Sequence, residues 1–381
     1  MLLKAGNPRS FPDRLLQPIG EWTDGDPKAY AYLPTAPPSP NRGAYPFILV
    51  AVVISEKTLI AQIRRMAGSE RNGAMRNAAL VRGIGDDCAV LRLSRDGKAA
   101  DALVTTDFSL EGIHFRRDWH SAESVGHRCL ARGLSDIAAM GGEPVAAFLS
   151  LALPRDLAQS WVGRFARSLI CLAERHGVTL AGGDTAESPR GVLADIVVVG
   201  SVPKGNAVLR SGARPGDRIY VSGELGGSAA AIWEMRKRPR RKVNPREYSR
   251  HFFPEPRIEV GRILREKKIA SAMIDTSDGL SADLAHICEE SRVGAELQAG
   301  VIPRARVGKA SREVDFEFVL HGGEDYELLF TAPASKRVPS RIAGVAITQI
   351  GCITRSRSIF VFDSGGVGYK LEPRGWEHFR K

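Results

Sequence analysis

No CxxC pair occurs in the 381-residue chain, and its five cysteines (Cys88, Cys129, Cys171, Cys288, Cys352) are scattered. That excludes a disulfide framework and a thiolate zinc site, and an odd count fits a reducing compartment. Long apolar runs are missing too. The longest, residues 47–54, has eight residues, against about 20 for a membrane helix. It is also a poor secretory signal, because 46 residues precede it and no small-residue cleavage site follows. A cytoplasmic protein without a membrane partner is expected. Several nucleotide and nucleophile signatures are absent. There is no GxxxxGK[ST], no GxGxxG between a strand and a helix, no HRD with DFG, and no GxSxG. P-loop, dinucleotide-binding, protein-kinase and serine-hydrolase architectures are thereby set aside. No repeat of 20–50 residues is visible.

What is present is a chain of two-domain length, 43 % hydrophobic and 25 % charged, with a net charge of +11. Residues 1–46 hold nine of its 22 prolines. A segment so poor in backbone donors cannot sustain helix or sheet, so residues 1–54 are expected to be a disordered extension or a misassigned start rather than a binding arm. From Ser55, as an N-cap, Leu59, Ile60, Ile63 and Met66 recur at helical spacing. Alternating helices and strands follow. Strands are expected near 102–106, 146–153 and 196–199, and helices after Ser121 and across 157–172. Beyond the turn at Arg214–Asp217 a second series begins with a strand at 218–222. Its helices are expected near 227–236, 256–267 and 280–290, and its strands near 272–274, 326–331, 347–353 and 359–362. This is an α/β (α+β) chain of two domains, 55–208 and 209–381, with a boundary near 205–213 and a basic insert at 236–250.

The chemistry-bearing pattern is acids beside glycines at predicted strand ends: Gly83-Ile84-Gly85-Asp86-Asp87, Thr105-Thr106-Asp107, Ser135-Asp136 before Gly141-Gly142, Gly182-Gly183-Asp184, Asp275-Thr276-Ser277-Asp278-Gly279, and Gly322-Gly323-Glu324-Asp325. One Asp-Gly is an ordinary turn or cap. Adjacent Asp86 and Asp87 repel unless a cation or solvent screens them. Six such sites together supply hard oxygen ligands for Mg²⁺ and glycine backbone for phosphate, without His or Cys ligand spacing. A polyphosphate–Mg²⁺ site is expected.

Eight stretches carry a resemblance: GIGDDCAVL (83–91), TTDFSLEGIHF (105–115), GLSDIAAMGGEP (133–144), GGDT (182–185), RSGARPGD (210–217), IDTSDGLSADL (274–284), GGEDYELLFT (322–331) and GWEHF (375–379). Across residues 56–381 the chain resembles the thiamine-monophosphate kinase family, of the PurM-like superfamily that includes aminoimidazole-ribonucleotide synthetase. The resemblance implies a PurM-like fold whose N-terminal mixed-sheet domain dimerises and whose C-terminal domain is α/β. It implies ATP-dependent phosphorylation of thiamine monophosphate to thiamine diphosphate, with Mg²⁺. By motif, Asp87, Thr105, Thr106, Asp107, Asp136, Asp184, Asp275 and Asp278 would be metal ligands. Gly183, Asp184, Arg210 and Ser277 would hold ATP, and His114, Glu324 and Trp376 would contact the thiamine substrate. The family commonly has Asn at the position of Gly133, and residues 108–113 also depart from its pattern. Taken alone, His114 could be a buried hydrogen-bonded histidine and Trp376 a packing plug. Arg210 could cap a strand end and Ser277 a helix start.

On that resemblance the acceptor would be a phosphate already largely deprotonated at neutral pH, so no general base would be required. Metals and Arg210 would reduce repulsion between two polyanions. Two alternatives are a PurM-like enzyme with another acceptor and a degenerate nucleotide-binding protein that binds nucleic acid through 236–242. The first lacks the reactive cysteine that related chemistries would want. Against the second, no aromatics interleave the basic run, which argues for a solvated loop. Residues 236–250 carry eight basic residues and one acid, so seven of the eleven net charges sit in this insert. They therefore say little about a partner.

Overall fold

The computed structural model describes residues 58, 80–82, 86–93, 100–237 and 243–376. The proline-rich segment, almost all of the helix expected after Ser55, Gly83–Gly85 and the middle of the basic run lie outside them. The N-terminal half contains β1 (Leu80–Arg82), β2 (Ala89–Leu93), β3 (Ala100–Leu110), α1 (Ala122–Ala139), β4 (Glu143–Leu153), α2 (Gln159–Arg175), β5 (Thr179–Glu187) and β6 (Leu193–Pro203). Its sheet runs β1-β2-β3-β6-β4-β5. All pairs are antiparallel except the parallel edge pair β4–β5, so the sheet is mixed.

One face of this sheet is packed and the other is not. Along β6, Ala194, Ile196, Val198 and Val202 are buried, alternating with partly exposed neighbours, as the two-residue period of a strand requires. The packed face takes α1 and α2. Ser121 caps α1 by accepting the Ser124 N–H at 3.2 Å. Gly126 lets α2 lie against α1, because a Cβ there would stand 2.1 Å from the Phe165 carbonyl oxygen. A Cβ on Gly133 would meet Val198 at 2.6 Å, so this position needs glycine to seat the helix on β6. On the opposite face Phe108 and Phe148 remain 55 % and 39 % exposed.

The C-terminal half begins with β7 (Arg218–Ser222), α3 (Gly227–Lys237), α4 (Ser249–Phe252), α5 (Ile258–Glu266), β8 (Ala272–Asp275), α6 (Leu280–Ser291) and β9 (Gly294–Gln298). The hairpin of β10 (Arg306–Val307) and β11 (Arg312–Glu313), then α7 (Phe316–His321), lead to β12 (Leu328–Ala332). The chain closes with β13 (Arg341–Ile342), β14 (Val345–Thr354), β15 (Ile359–Phe362) and β16 (Gly368–Lys370). The sheet order is β16-β15-β9-β14-β7-β12-β8, with β13 on β14. One core joins this sheet to α6, including Ile274, Leu284, Ile287, Val221 and Leu329. A second sets Tyr220, Met273, Leu328 and Phe330 against Val260 and Leu264 of α5 and against Ala138 and Ala139 of α1. Thus α1 is shared by both halves. Gly261 permits this, since a Cβ there would lie 2.1 Å from the Ala138 carbonyl oxygen.

The strand expected over 326–331 starts two residues later. Glu324 and Tyr326 have φ of +65° and +52°, which no extended strand accommodates. Of the basic run, Arg236 and Lys237 close α3 as exposed residues and 238–242 lie outside the described residues; the packed residues come just after the insert. His251 and Phe252 of α4 are buried, and Phe252 packs with Ala231 and Met235 of α3.

Candidate active site

A cavity of about 1320 Å³ opens between the two halves, and most of the residues singled out from the sequence line it. At its floor, carboxylate oxygens of Asp87, Asp136 and Asp275 all lie within 4.8 Å of one another. Three separate elements deliver them. Asp87 comes from the turn before β2, Asp136 from the last turns of α1, and Asp275 from the end of β8. Hydroxyls aim two of them. The Thr105 hydroxyl donates to Asp136 at 2.5 Å, and the Ser135 hydroxyl to Asp275 at 2.6 Å, tying α1 to β8. Asp107 of β3 joins by a hydrogen bond to Asp136.

Burial, followed by Asp107, Asp275 and Asp87, pushes the Asp136 carboxyl well above the usual range. Burial likewise raises Asp107, and burial with the nearby Asp87 lifts Asp275 to about 7. The cluster is short of positive charge. Arg210 supplies some, through contacts from Nε and Nη2 to Asp87 at 3.1 and 2.9 Å. The adjacent Asp86 turns elsewhere, accepting the Arg210 backbone N–H at 2.7 Å and the Arg82 Nε–H at 2.5 Å. Two guanidiniums therefore screen the Asp86-Asp87 pair. Every ligand atom in the cluster is a carboxylate oxygen. Burial and Asp136 push the Cys88 thiol far up, so it stays a thiol and offers no thiolate. This donor set fits a hard divalent cation such as Mg²⁺ and not a soft one.

The other expected site residues fall into two groups. Thr106, Asp278, Ser277, His114, Glu324 and Trp376 line the cavity. The Thr106 hydroxyl donates to Asp195 at 2.7 Å, on the strand face opposite Thr105. His114 Nδ1 accepts the Leu110 N–H at 3.0 Å, which leaves its proton on Nε2. Trp376 is half exposed at the mouth, and its N–H is bonded to the Asp278 carbonyl. Glu324 accepts Arg128 at 2.7 Å and Arg132 at 3.1 Å. Burial works to raise its pKa, but the two guanidiniums outweigh it and hold Glu324 at about 2.

Gly183 and Asp184 are not brought there. They lie on β5, separated from β3 by β6 and β4, roughly 14 Å away at ordinary strand spacing. Gly183 has a local reason to be glycine, because a Cβ would sit 1.8 Å from the Leu149 carbonyl oxygen.

Acids beside glycines do not reveal several further residues in or behind this cavity, of which Arg132, His120 and His251 line it. Arg132 and Arg128 stand one and two turns before Asp136 on the same helix, and that four-residue spacing was the available signal. His120 and His251 meet at 2.9 Å through their Nε2 atoms, and His251 Nδ1 lies 2.8 Å from the Ser228 hydroxyl. Burial pushes His120 down to about 4 and His251 further. Asp283 carries no family motif role, yet it is buried, accepts the Gly279 N–H at 2.9 Å and leaves Oδ1 without a partner.

The chain is similar to known proteins over most of its length. Residues 85–202 match the AIR synthase related protein N-terminal domain, and residues 214–364 its C-terminal domain. The chain is 38 % identical over 308 residues to the thiamine-monophosphate kinase of Escherichia coli K12, covering 78 % of this chain and 91 % of that protein. A solved structure described as "AaThiL complexed with AMPPCP and TMP" superposes with a TM-score of 0.71 at 32 % identity, covering 85 % of this chain and 97 % of the other. Thiamine monophosphate kinase from Aquifex aeolicus gives 0.66 at 31 %, covering 82 % and 98 %. The two matched domains and the identity over most of both chains have one reading: the chain belongs to the thiamine-monophosphate kinase family.

Proposed function

We infer that the chain transfers the γ-phosphoryl group of ATP to thiamine monophosphate, giving ADP and thiamine diphosphate. The single observation that carries this reading is the convergence of three buried carboxylates from three elements on one point in the cleft, in a chain of this family. Asp87, Asp107, Asp136 and Asp275 would hold Mg²⁺, with Asp278 on the wall beside them. When bound, Mg²⁺ would neutralise phosphate charge and stabilise the charge that develops during in-line transfer. Arg210 adds a guanidinium fixed to Asp87, so its position needs no further ordering when nucleotide arrives. Ser277 lies at the turn that leads into α6, beside the expected nucleotide. His114 and Trp376 line the end of the cavity where the organic part of the acceptor would rest, with Trp376 offering an aromatic face to a thiazolium cation.

We also propose a homodimer through the N-terminal sheet. Its outer face is apolar and uncovered at Phe108 and Phe148. Phe108, Asp195, Ser150 and Asp184 form one continuous row across β3, β6, β4 and β5. Asp184 is too far from Asp136 to serve the same site within one chain. If Gly183 and Asp184 hold nucleotide or metal, as the family motif implies, they serve a second copy packed on this face. The functional test is direct. Purified protein with Mg²⁺, ATP and thiamine monophosphate should form ADP and thiamine diphosphate in equal amounts, and omission of any one component should stop it. Absence of thiamine diphosphate would sink the reading.

A further inference from the structure

α1 is almost entirely inside the molecule. Of its 18 residues, only Glu123, Arg132 and Asp136 escape full burial. A helix that carries guanidiniums into such an interior needs specific partners for them. Arg128, Arg132 and Asp136 recur every four residues and so form one stripe, with steps of about 6 Å along the axis. The acid end of that stripe is the carboxylate cluster. Its basic end points along the cleft wall towards Glu324. Arg132 and Asp136 both line the cavity.

The Arg132 guanidinium is anchored on three sides. Nε donates to the Tyr326 hydroxyl at 2.9 Å, Nη2 donates to Glu324 at 3.1 Å, and Nη1 donates to the Phe108 carbonyl. A guanidinium has five N–H donors, so two remain. Burial opposes its charge, yet Tyr326, Glu324 and Asp107 hold its pKa above the ordinary value, so it stays cationic. The residues that anchor it are themselves held in an unusual backbone. Glu324 and Tyr326 both lie at positive φ, and hydrogen bonds from their N–H groups to the Ser277 and Thr276 carbonyls keep them there. Arg128 and Arg132 share one ion-paired acid, Glu324. The other acid acting on Arg132 is Asp107 of the carboxylate cluster, which begins a single helical turn away.

We propose that Arg132 binds the phosphate of the acceptor, thiamine monophosphate. The proposal rests on the functional reading above and adds a residue to it. A planar guanidinium with two N–H groups to spare suits a phosphate dianion. Its location one turn from Asp136 puts that phosphate beside the group being transferred. The far side of Arg132, towards Glu324, His114 and Trp376, leaves room for the organic part of the acceptor. Glu324 then acts mainly by holding Arg128 and Arg132.

Steady-state kinetics at saturating Mg²⁺ on the full chain test this. Arg132→Gln should raise KM for thiamine monophosphate by about 10–100-fold, the range for one charge-assisted hydrogen-bonded contact, and leave KM for ATP within about threefold. Millimolar guanidinium chloride should recover part of the loss in Arg132→Gln but not alter the parent enzyme. Arg132→Lys keeps the stem and the charge and provides a second measurement should the glutamine variant fail to fold. It should show the same selective rise, smaller in size. Equal rises in both KM values, or a fall in kcat with both KM values unchanged, would overturn the proposal. A parent enzyme that makes no thiamine diphosphate overturns the functional reading instead, so the two failures are distinct.

Discussion

Asp136→Asn should have two effects of opposite sign. The substitution preserves shape, and an amide oxygen can still accept the Thr105 hydroxyl bond. What changes is one negative charge among carboxylates whose oxygens lie within 4.8 Å of each other. At an effective dielectric of about 20, two unit charges at that separation repel by about 3 kcal/mol. Asp136 faces two such neighbours, Asp87 and Asp275, and Asp107 as well. The metal-free protein relieves part of this strain by retaining protons, which reduces the gain from substitution to about 1–3 kcal/mol near pH 8. In EDTA the melting temperature should therefore rise by about 2–8 °C. Most buried substitutions do the reverse. Turnover should meanwhile fall by at least about 100-fold, because a ligand position for the divalent cation is lost. Differential scanning fluorimetry in EDTA and an ADP-release assay with Mg²⁺, ATP and thiamine monophosphate read the two effects separately. A variant that melts lower than the parent without metal, or that retains turnover within about tenfold, would refute the argument that these acids are mutually strained and recruit a cation.

The same cluster sets a pH dependence. Asp275 is raised from 3.8 to about 7, so between those values the folded state holds a proton that the unfolded chain has released. Metal-free stability should fall as pH rises through this window, by about 4 kcal/mol at most for this group, and level off above it. Glu324, lowered to about 2, acts oppositely and withdraws its contribution as pH drops below about 4.5. Because the buried His120 and His251, held low, raise stability over the same window, the decline is read as the difference between parent and Asp275→Asn melting curves in EDTA from pH 4.5 to 8, and a difference that does not change with pH would contradict it. Glu327 is 1 % exposed and holds Arg257 through both oxygens, at 2.7 and 2.5 Å, with Ser222 at 2.5 Å. Glu327→Gln should cost about 3–5 kcal/mol by stranding that guanidinium, seen as a melting temperature lower by about 6–15 °C. For the homodimer, equal amounts of Asp136→Asn and Asp184→Ala chains, each inactive alone, should after subunit exchange recover about a quarter of parental activity. One site in each hybrid would then draw an intact Asp136 and an intact Asp184 from different copies. No recovery after verified exchange would place both residues in one copy's site or remove Asp184 from function.

Much of the fold could be read locally. Ser121 as a cap and Val125, Cys129, Leu130, Leu134 and Ile137 at helical spacing mark α1, which runs Ala122–Ala139. The apolar run Ile196–Val199 marks β6, although only every second side chain of it is buried. Less visible were β1 and β2, short strands that pair with their immediate successors, and β9, whose partners β14 and β15 lie far along the chain. The acids beside glycines led to Asp87, Asp107, Asp136 and Asp275 because each ends or flanks an element that the fold turns towards the cleft. The same pattern at Asp184 led to an edge strand, since a motif carries no information on where its strand lies in the sheet. Arg128 and Arg132 escaped notice for another reason. Arginine on a helix is ordinarily a surface residue, and only the shared packing of α1 between two sheets makes these two interior.

The acids of this chain divide according to what balances them. Asp86 has a guanidinium and a backbone N–H, Asp325 has the N–H groups of Gly226 and Ser228, and Glu327 has Arg257 and Ser222. These acids are satisfied by the protein itself, and their work is to hold β12 and the turns before α3 and β2 in place. Asp136 and Asp275 each accept one hydroxyl, and their nearest charged neighbours are other acids. The protein leaves that charge uncompensated while placing a guanidinium with two spare N–H groups one turn away, at Arg132. On the proposed reading a cation would enter the acidic end and the acceptor phosphate would meet the guanidinium. Two charged ligands bound side by side would then satisfy both, and the phosphates of nucleotide and acceptor would come into contact between them.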